Sequence, residues 1–260
     1  MKLKLYQVDA FAEKVFTGIP AAVCPLENWL PDEVLQNIAM ENNLAETAFY
    51  ILDGDHFHLR WFTPKVEVDL CGHATVATAH VLFNHEGHPG NSVSFQSRSG
   101  LLTVTRKKDL LTLDFPTDTL EEISLIPELT EGFNIEPTQA FKGKTDLLLV
   151  FKNEDDIIAL NPDFRKVGQL KARGVIATAP GKEVDFVSRF FAPQCGIDED
   201  PVTGSAHTTL TPFWSSQLNK KELNAIQLSS RKGFLRCVNA GDRTRISGKA
   251  KTYLVGEIII

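Results

Sequence analysis

The alternation of hydrophobic and polar positions makes the first part of the chain mainly strand-like. LKLYQVDAF, TAFYIL, HFHLRWF, SVSFQS, LLTVTR and LLTLDF are short runs rich in β-branched and aromatic residues. Two helical stretches interrupt them. PDEVLQNIAMENN carries Val34, Leu35, Ile38 and Ala39 at helical spacing, behind a proline, Pro31, suited to a first turn. HATVATAHVLFNH is apolar on nearly every side, which predicts a buried helix rather than one lying on a surface. RKK at 106–108 has strand-like flanks and reads as a hairpin tip. DFPTDTLEE at 114–122 then breaks the pattern and reads as a linker. The expected division is residues 1–116 and residues 117–260, with the last strand free to return to the first lobe.

Beyond the linker the pattern recurs. TDLLLVF, GVIATA, DFVSRFF and AIQLSS are strand-like, and a helix of small residues begins near Gly204. Arg60-Trp61-Phe62-Thr63-Pro64 aligns with Arg189-Phe190-Phe191-Ala192-Pro193 at an offset of 129, and Gly72-His73-Ala74 aligns with Gly204-Ser205-Ala206 at an offset of 132. Each half thus has an aromatic strand closed by proline, a short acidic loop, and a small-residue helix start. The expected fold is α+β: two similar lobes, each a barrel-like mixed sheet around a central helix, related by duplication. A cleft between such lobes is the expected ligand site. Two helix starts there expose unpaired N–H groups and positive partial charge, and glycine leaves room for an anion's oxygen. A carboxylate is the expected guest.

Bulk properties narrow the functional classes. The net charge is −6 over 260 residues, with no basic stripe, which argues against nucleic acid or an anionic membrane as partner. No stretch approaches the ~18 apolar residues of a membrane span. Gln7, Asp9 and Glu13 interrupt any signal-peptide core. Cys24, Cys71, Cys195 and Cys237 are dispersed, without a CxxC pair, so the expected location is the reducing cytoplasm. His56 and His58, and likewise His80, His85 and His88, lack a carboxylate or cysteine at ligand spacing, so no metal is expected. GxGxxG, GxxxxGK[ST] and GxSxG are all missing.

Three motifs, in order, carry a resemblance. NLAETAFY at 43–50, DLCGHATVATAHVL at 69–82 and EDPVTGSAH at 199–207 resemble the PhzF, or phenazine-biosynthesis-like, isomerase family, whose fold is that of diaminopimelate epimerase. The likeness runs from YQVDAF to the terminal SGKAKTYLVGEIII. It implies a homodimeric isomerase that needs no cofactor. It also implies Glu46 as principal acid/base, with His73, Asp200 and Ser205 as partners, and Gly72, Thr203 and Gly204 contacting substrate. A desolvated Glu46 among Leu44, Ala45 and Phe49 is expected to have a raised pKa. Many members carry Gly-Asn-Pro near the amino terminus, where this chain has Gly18-Ile19-Pro20. Two rivals remain. A two-thiol racemase or epimerase would use Cys71 and Cys195, but these hold unequal positions: Cys71 adjoins its helix start, and Cys195 precedes Gly204 by nine residues. A non-catalytic small-molecule-binding protein would use the same cleft.

Overall fold

The computed structural model describes all residues from Met1 to Ile260. The chain runs β1 (Lys2–Ala10), β2 (Ile19–Pro25), α1 (Asp32–Asn42), β3 (Glu46–Asp53), β4 (His56–Phe62), β5 (Glu67–Val68), α2 (Gly72–Asn84), β6 (Ser92–Ser97), β7 (Gly100–Lys107) and β8 (Leu110–Pro116). It continues through β9 (Glu121–Ile123), α3 (Pro127–Thr130), β10 (Gln139–Lys142), β11 (Asp146–Val150), α4 (Glu154–Ala159), α5 (Phe164–Val167), β12 (Gly174–Pro180) and β13 (Phe186–Ala192). The last elements are β14 (Ile197–Asp200), α6 (Ala206–Leu218), β15 (Glu222–Gln227), β16 (Gly233–Asn239), β17 (Arg243–Gly248) and β18 (Ala250–Ile259). This is a sheet-dominated α+β fold. No helix is long and apolar enough to cross a membrane.

Two compact units emerge: Met1–Asp114 with Ser247–Ile260, and Phe115–Ile246. In the first, β1 pairs antiparallel with β2 and β18, β2 runs parallel to β3, and β3 is antiparallel to β4. Strand β4 is antiparallel to β5 and parallel to β6, which is antiparallel to β7. Helix α2 packs against β1, β2, β3, β7 and β18. Its small residues Ala74, Ala77 and Ala79 let strands approach, and all three are fully buried. Buried Thr75 and Thr78 donate to the carbonyls of Cys71 and Ala74 one turn back, so no hydroxyl is stranded. The all-round apolar pattern of this segment therefore describes a central helix.

In the second unit, β10 is antiparallel to β11, β11 parallel to β12, and β12 antiparallel to β13. Strand β13 is antiparallel to β14 and parallel to β15, which is antiparallel to β16. The order of parallel and antiparallel pairings is the same as in the first unit. Helix α6 packs on β15 and β16, and Trp214 Nε1 donates to Thr178 Oγ1 at 2.9 Å.

One pair of ion contacts also recurs. Arg60 on β4 donates from Nε and Nη2 to Glu67 at 2.7 and 2.8 Å, and its guanidinium sits 5.1 Å from the Phe62 ring centre. Arg189 on β13 makes the same two bonds to Glu199 at 2.7 and 2.8 Å, with Phe191 at 4.9 Å. These forks tie each aromatic strand to the acidic segment that precedes its small-residue helix.

Near the amino terminus, Gly18 is left-handed at φ +69°, and a Cβ there would meet the Ala10 carbonyl oxygen at 2.1 Å. The next residue, Ile19, opens β2 opposite Ala10 and is 1% exposed. Apolar packing thus fills the position at which the resemblance noted above implies an asparagine.

Candidate functional site

The first unit gathers Glu46, Cys71 and His73. Glu46 is the first residue of β3, reached from α1 through left-handed Asn43 at φ 48°. Cys71 caps α2 without a side-chain cap bond, and its carbonyl accepts the Thr75 N–H at 3.1 Å. His73 is the second helical residue. Its Nε2 lies 2.8 Å from Glu46 Oε2, and Cys71 Sγ lies 3.6 Å from Nδ1 and 3.8 Å from Nε2. The 2.8 Å contact is off the hydrogen-bond axis: Glu46 Oε2 is buried with no aligned donor.

Burial alone would raise the Glu46 pKa. The His73 charge and contact outweigh it, and the carboxyl is held below its ordinary 4.5. This overturns the upward shift expected from its apolar sequence neighbours, because the neighbour that decides it, His73, is 27 positions away in the chain. Burial likewise would lower His73, but negative charge on Cys71 and Glu46 lifts it well above 6.5. The Cys71 thiol is pushed upward by burial, so Glu46 supplies that charge at neutral pH. Each partner thus pushes the other toward its charged form, Glu46 toward the carboxylate and His73 toward the imidazolium.

The second unit gathers Asp200, Thr203 and Ser205. Thr203 Oγ1 donates to Asp200 Oδ2 at 2.6 Å. Ser205 precedes α6 with no side-chain cap bond, so it is not a capping serine, and its Oγ accepts from Arg173 Nη2 at 3.0 Å. The helix proper starts at Ala206, so Gly204 and Ser205 form the turn before it, whereas Gly72 and His73 lie inside α2. A Cβ on Gly204 would meet nothing within 4 Å, so its backbone is open to approach.

Two residues here escaped the sequence reading. Gln227 is fully buried; its Oε1 accepts the Thr203 N–H at 2.8 Å, and its Nε2 donates to the Asp200 carbonyl at 2.8 Å and to Thr203 Oγ1 at 3.2 Å. The signal was a polar residue on the buried alternation Leu223-Ala225-Gln227 of β15. Arg173 forks onto buried Asp146 through Nε and Nη2 while holding Ser205. Burial lowers the Arg173 pKa, but Asp146 foremost reverses that and raises it. No periodicity marks Arg173.

The remaining candidates part from the chemistry. Cys195 is exposed at the end of a 3-10 turn, Pro193–Cys195, and donates to the Arg173 carbonyl at 3.4 Å. It is not at a helix start, as Cys71 is. His80 and His85 both reach Thr252 Oγ1, at 2.9 and 2.7 Å, a structural contact in the first unit.

Residues 8–256 match the family described as phenazine biosynthesis-like protein. An uncharacterized isomerase of Pseudomonas aeruginosa is 48% identical over 258 residues, covering 99% of both chains. The solved structure of a PhzF-family phenazine biosynthesis protein from Enterococcus faecalis is 48% identical and superposes with a TM-score of 0.98 over the full length of both chains. A probable proline racemase of Agrobacterium radiobacter shares the fold at a TM-score of 0.66 and 9% identity, over 99% of this chain and 93% of its own. Matched from β1 to β18 by family, curated relative and solved structure alike, the chain belongs to the phenazine biosynthesis-like, or PhzF, family, whose relatives are named isomerases.

Proposed function

We propose that this protein is a cofactor-independent isomerase that moves a proton on a small carboxylate-bearing metabolite by general acid/base catalysis. The observation that carries the reading is the buried 2.8 Å contact of Glu46 Oε2 with His73 Nε2. A carboxylate kept ionised by an imidazolium has a lone pair for a proton on carbon. Glu46 takes that proton, the C–H electron pair enters the adjacent π system, and a proton returns at another carbon. One proton and one double bond change place, so no oxidant is consumed. Asp200 and Ser205 bind the substrate and relay protons. Main-chain N–H groups at Gly72 and Gly204 take its carboxylate; Thr203, expected as a third contact, instead gives its N–H to Gln227 Oε1 and its hydroxyl to Asp200. The recurring pairing order and the two Arg–Glu forks support reading the units as duplicated lobes. A cytoplasmic homodimer is the expected form.

The two-thiol alternative is disfavoured by the protonated state that burial imposes on Cys71 and by the place of Cys195 outside a helix start. The test is turnover in D₂O of dihydro-hydroxyanthranilate, the substrate the resemblance implies, and of a panel of small cyclic carboxylates. Wild type is expected to incorporate deuterium, and Glu46→Gln to be slower by about 10²–10⁴-fold. Equal rates would remove Glu46 from the chemistry. Binding without incorporation would make the protein a small-molecule receptor instead.

A further inference from the structure

We infer that Arg173 is a positioning residue: it fixes the Ser205 hydroxyl and presents it as a hydrogen-bond donor to a negatively charged oxygen of the substrate. The inference rests on the proposed reading, in which Ser205 meets the substrate. Arg173 immediately precedes β12, and Asp146, which opens β11, lies across the parallel pair from Gly174. That register sets the guanidinium against a buried carboxylate whose two oxygens are both engaged, Oδ1 by Nε at 2.9 Å and Oδ2 by Nη2. The Phe190 ring centre lies 5.4 Å from the guanidinium carbon, over Gly174, where no Cβ fits. The backbone is held as well. The Arg173 N–H donates to the Thr145 carbonyl at 2.8 Å, and the Arg173 carbonyl accepts from Cys195 Sγ at 3.4 Å. A guanidinium fixed on three sides has its second Nη2 hydrogen to give, and Ser205 Oγ receives it at 3.0 Å.

Hydrogen-bond accounting decides what Ser205 can then do. A hydroxyl has one proton to give and two lone pairs to receive with. Arg173 is the side-chain partner of Ser205 Oγ and fills one lone pair, while the hydroxyl proton has no acceptor within the chain. Ser205 is exposed, so that proton is free for a ligand. A cation on the oxygen disfavours a second donor there, an ammonium above all, and polarises the O–H toward an anionic acceptor. Carboxylate and enolate oxygens are such acceptors. Lysine could balance Asp146, but its ammonium is a point charge without the planar fork that spans Asp146 and Ser205 at once. Arg173 therefore acts through Ser205 and not by touching the substrate itself.

The test measures binding of benzoate and of benzylamine, similar rings with head groups of opposite charge, to the intact protein by calorimetry. Wild type, Ser205→Ala, Arg173→Lys and the double variant form a double-mutant cycle. Losing a hydrogen bond to a charged group is expected to make Ser205→Ala bind benzoate about 10-fold to 10²-fold more weakly, with benzylamine little changed. Arg173→Lys is expected to weaken benzoate binding while Ser205 is present, and by no more than about 2-fold in the Ser205→Ala background. An arginine that merely supported the fold would weaken benzoate equally in both backgrounds. Should Arg173→Lys fail to fold, Asp146→Asn takes its place in the cycle, since the amide keeps one acceptor oxygen and loosens the fork. The inference is overturned if wild type does not bind benzoate, if the two effects simply add, or if Ser205→Ala weakens benzylamine rather than benzoate. No arm requires turnover. Absent deuterium incorporation with the cycle intact removes the isomerase reading alone, and an additive cycle with incorporation intact removes the role of Arg173 alone.

Discussion

Gln227→Leu tests whether one buried amide holds the Asp200–Ser205 segment in place. Leucine fits roughly the same volume, so packing is nearly conserved. The substitution removes three hydrogen bonds: from the Thr203 N–H, to the Asp200 carbonyl, and to Thr203 Oγ1. Gln227 is fully buried and Thr203 is 6% exposed, so water cannot readily replace it. Leaving a buried donor or acceptor unpaired costs about 1–3 kcal/mol. The Thr203 N–H and the Asp200 carbonyl both lose this partner, while Thr203 Oγ1 keeps its bond to Asp200 Oδ2. The expected loss is therefore about 2–4 kcal/mol, with the greater buried apolar area of leucine returning part of it. At roughly 2–4 °C per kcal/mol for a chain of this size, Tm should fall by about 4–16 °C. Differential scanning calorimetry, with hydrogen exchange at residues 200–205, reads both the size and the place of the effect. A Tm within about 2 °C of wild type, with unchanged protection at Thr203, would refute the assignment of Gln227 as the anchor.

Cys71→Ser is predicted to retain most of the wild-type rate; a loss of several orders of magnitude in a folded variant would restore the thiol mechanism. The Glu46–His73 pair predicts a stability window. Glu46 has a depressed pKa, so its contribution is present above about 4.5 and is lost as pH falls through the folded value. His73 has a raised pKa, so its contribution is full below about 6.5 and is lost as pH rises through the folded value. The difference in Tm between wild type and His73→Gln should be greatest between those limits. A difference independent of pH would mean the pair is not ionised.

Strands with alternating or aromatic composition were legible, as were α1 and α2, because burial on one face or all round leaves a period in the sequence. IPAAVCP was not: β2 is sandwiched between β1 and β3, nearly all of it is buried, and no alternation survives. The short helices α3, α4 and α5 span four to six residues, too few for a 3.6-residue period to show. Glu46, His73, Asp200 and Ser205 were reached through motifs, and the charge state of Glu46 was not, since it depends on a histidine brought near only by folding. Local apolar neighbours predicted desolvation correctly in kind and wrongly in outcome.

The pattern of what recurs between the units separates scaffold from chemistry. The Arg–Glu forks recur at offsets of 129 and 132, and so does the pairing order around them. Glu46 does not recur. It faces Ala21 across the parallel pair β2–β3, and at the same place in β11–β12 Gly174 faces Asp146. A Cβ on Gly174 would meet Phe190 Cζ at 2.3 Å, so no side chain fits there. The carboxylate has instead moved to the neighbouring strand, as Asp146, where Arg173 neutralises it. An acid whose two oxygens are both engaged by one guanidinium has little freedom to act as a base, but it makes a firm support for the arginine that holds Ser205. Where the first unit presents a histidine beside a carboxylate, the second presents a serine braced by an arginine. Duplicated residues here are those that satisfy structural charge. The residues that differ between the units, Glu46, His73 and Ser205, are the ones to which the proposed mechanism assigns protons to move or a substrate to hold, which is where departures from internal consistency are expected.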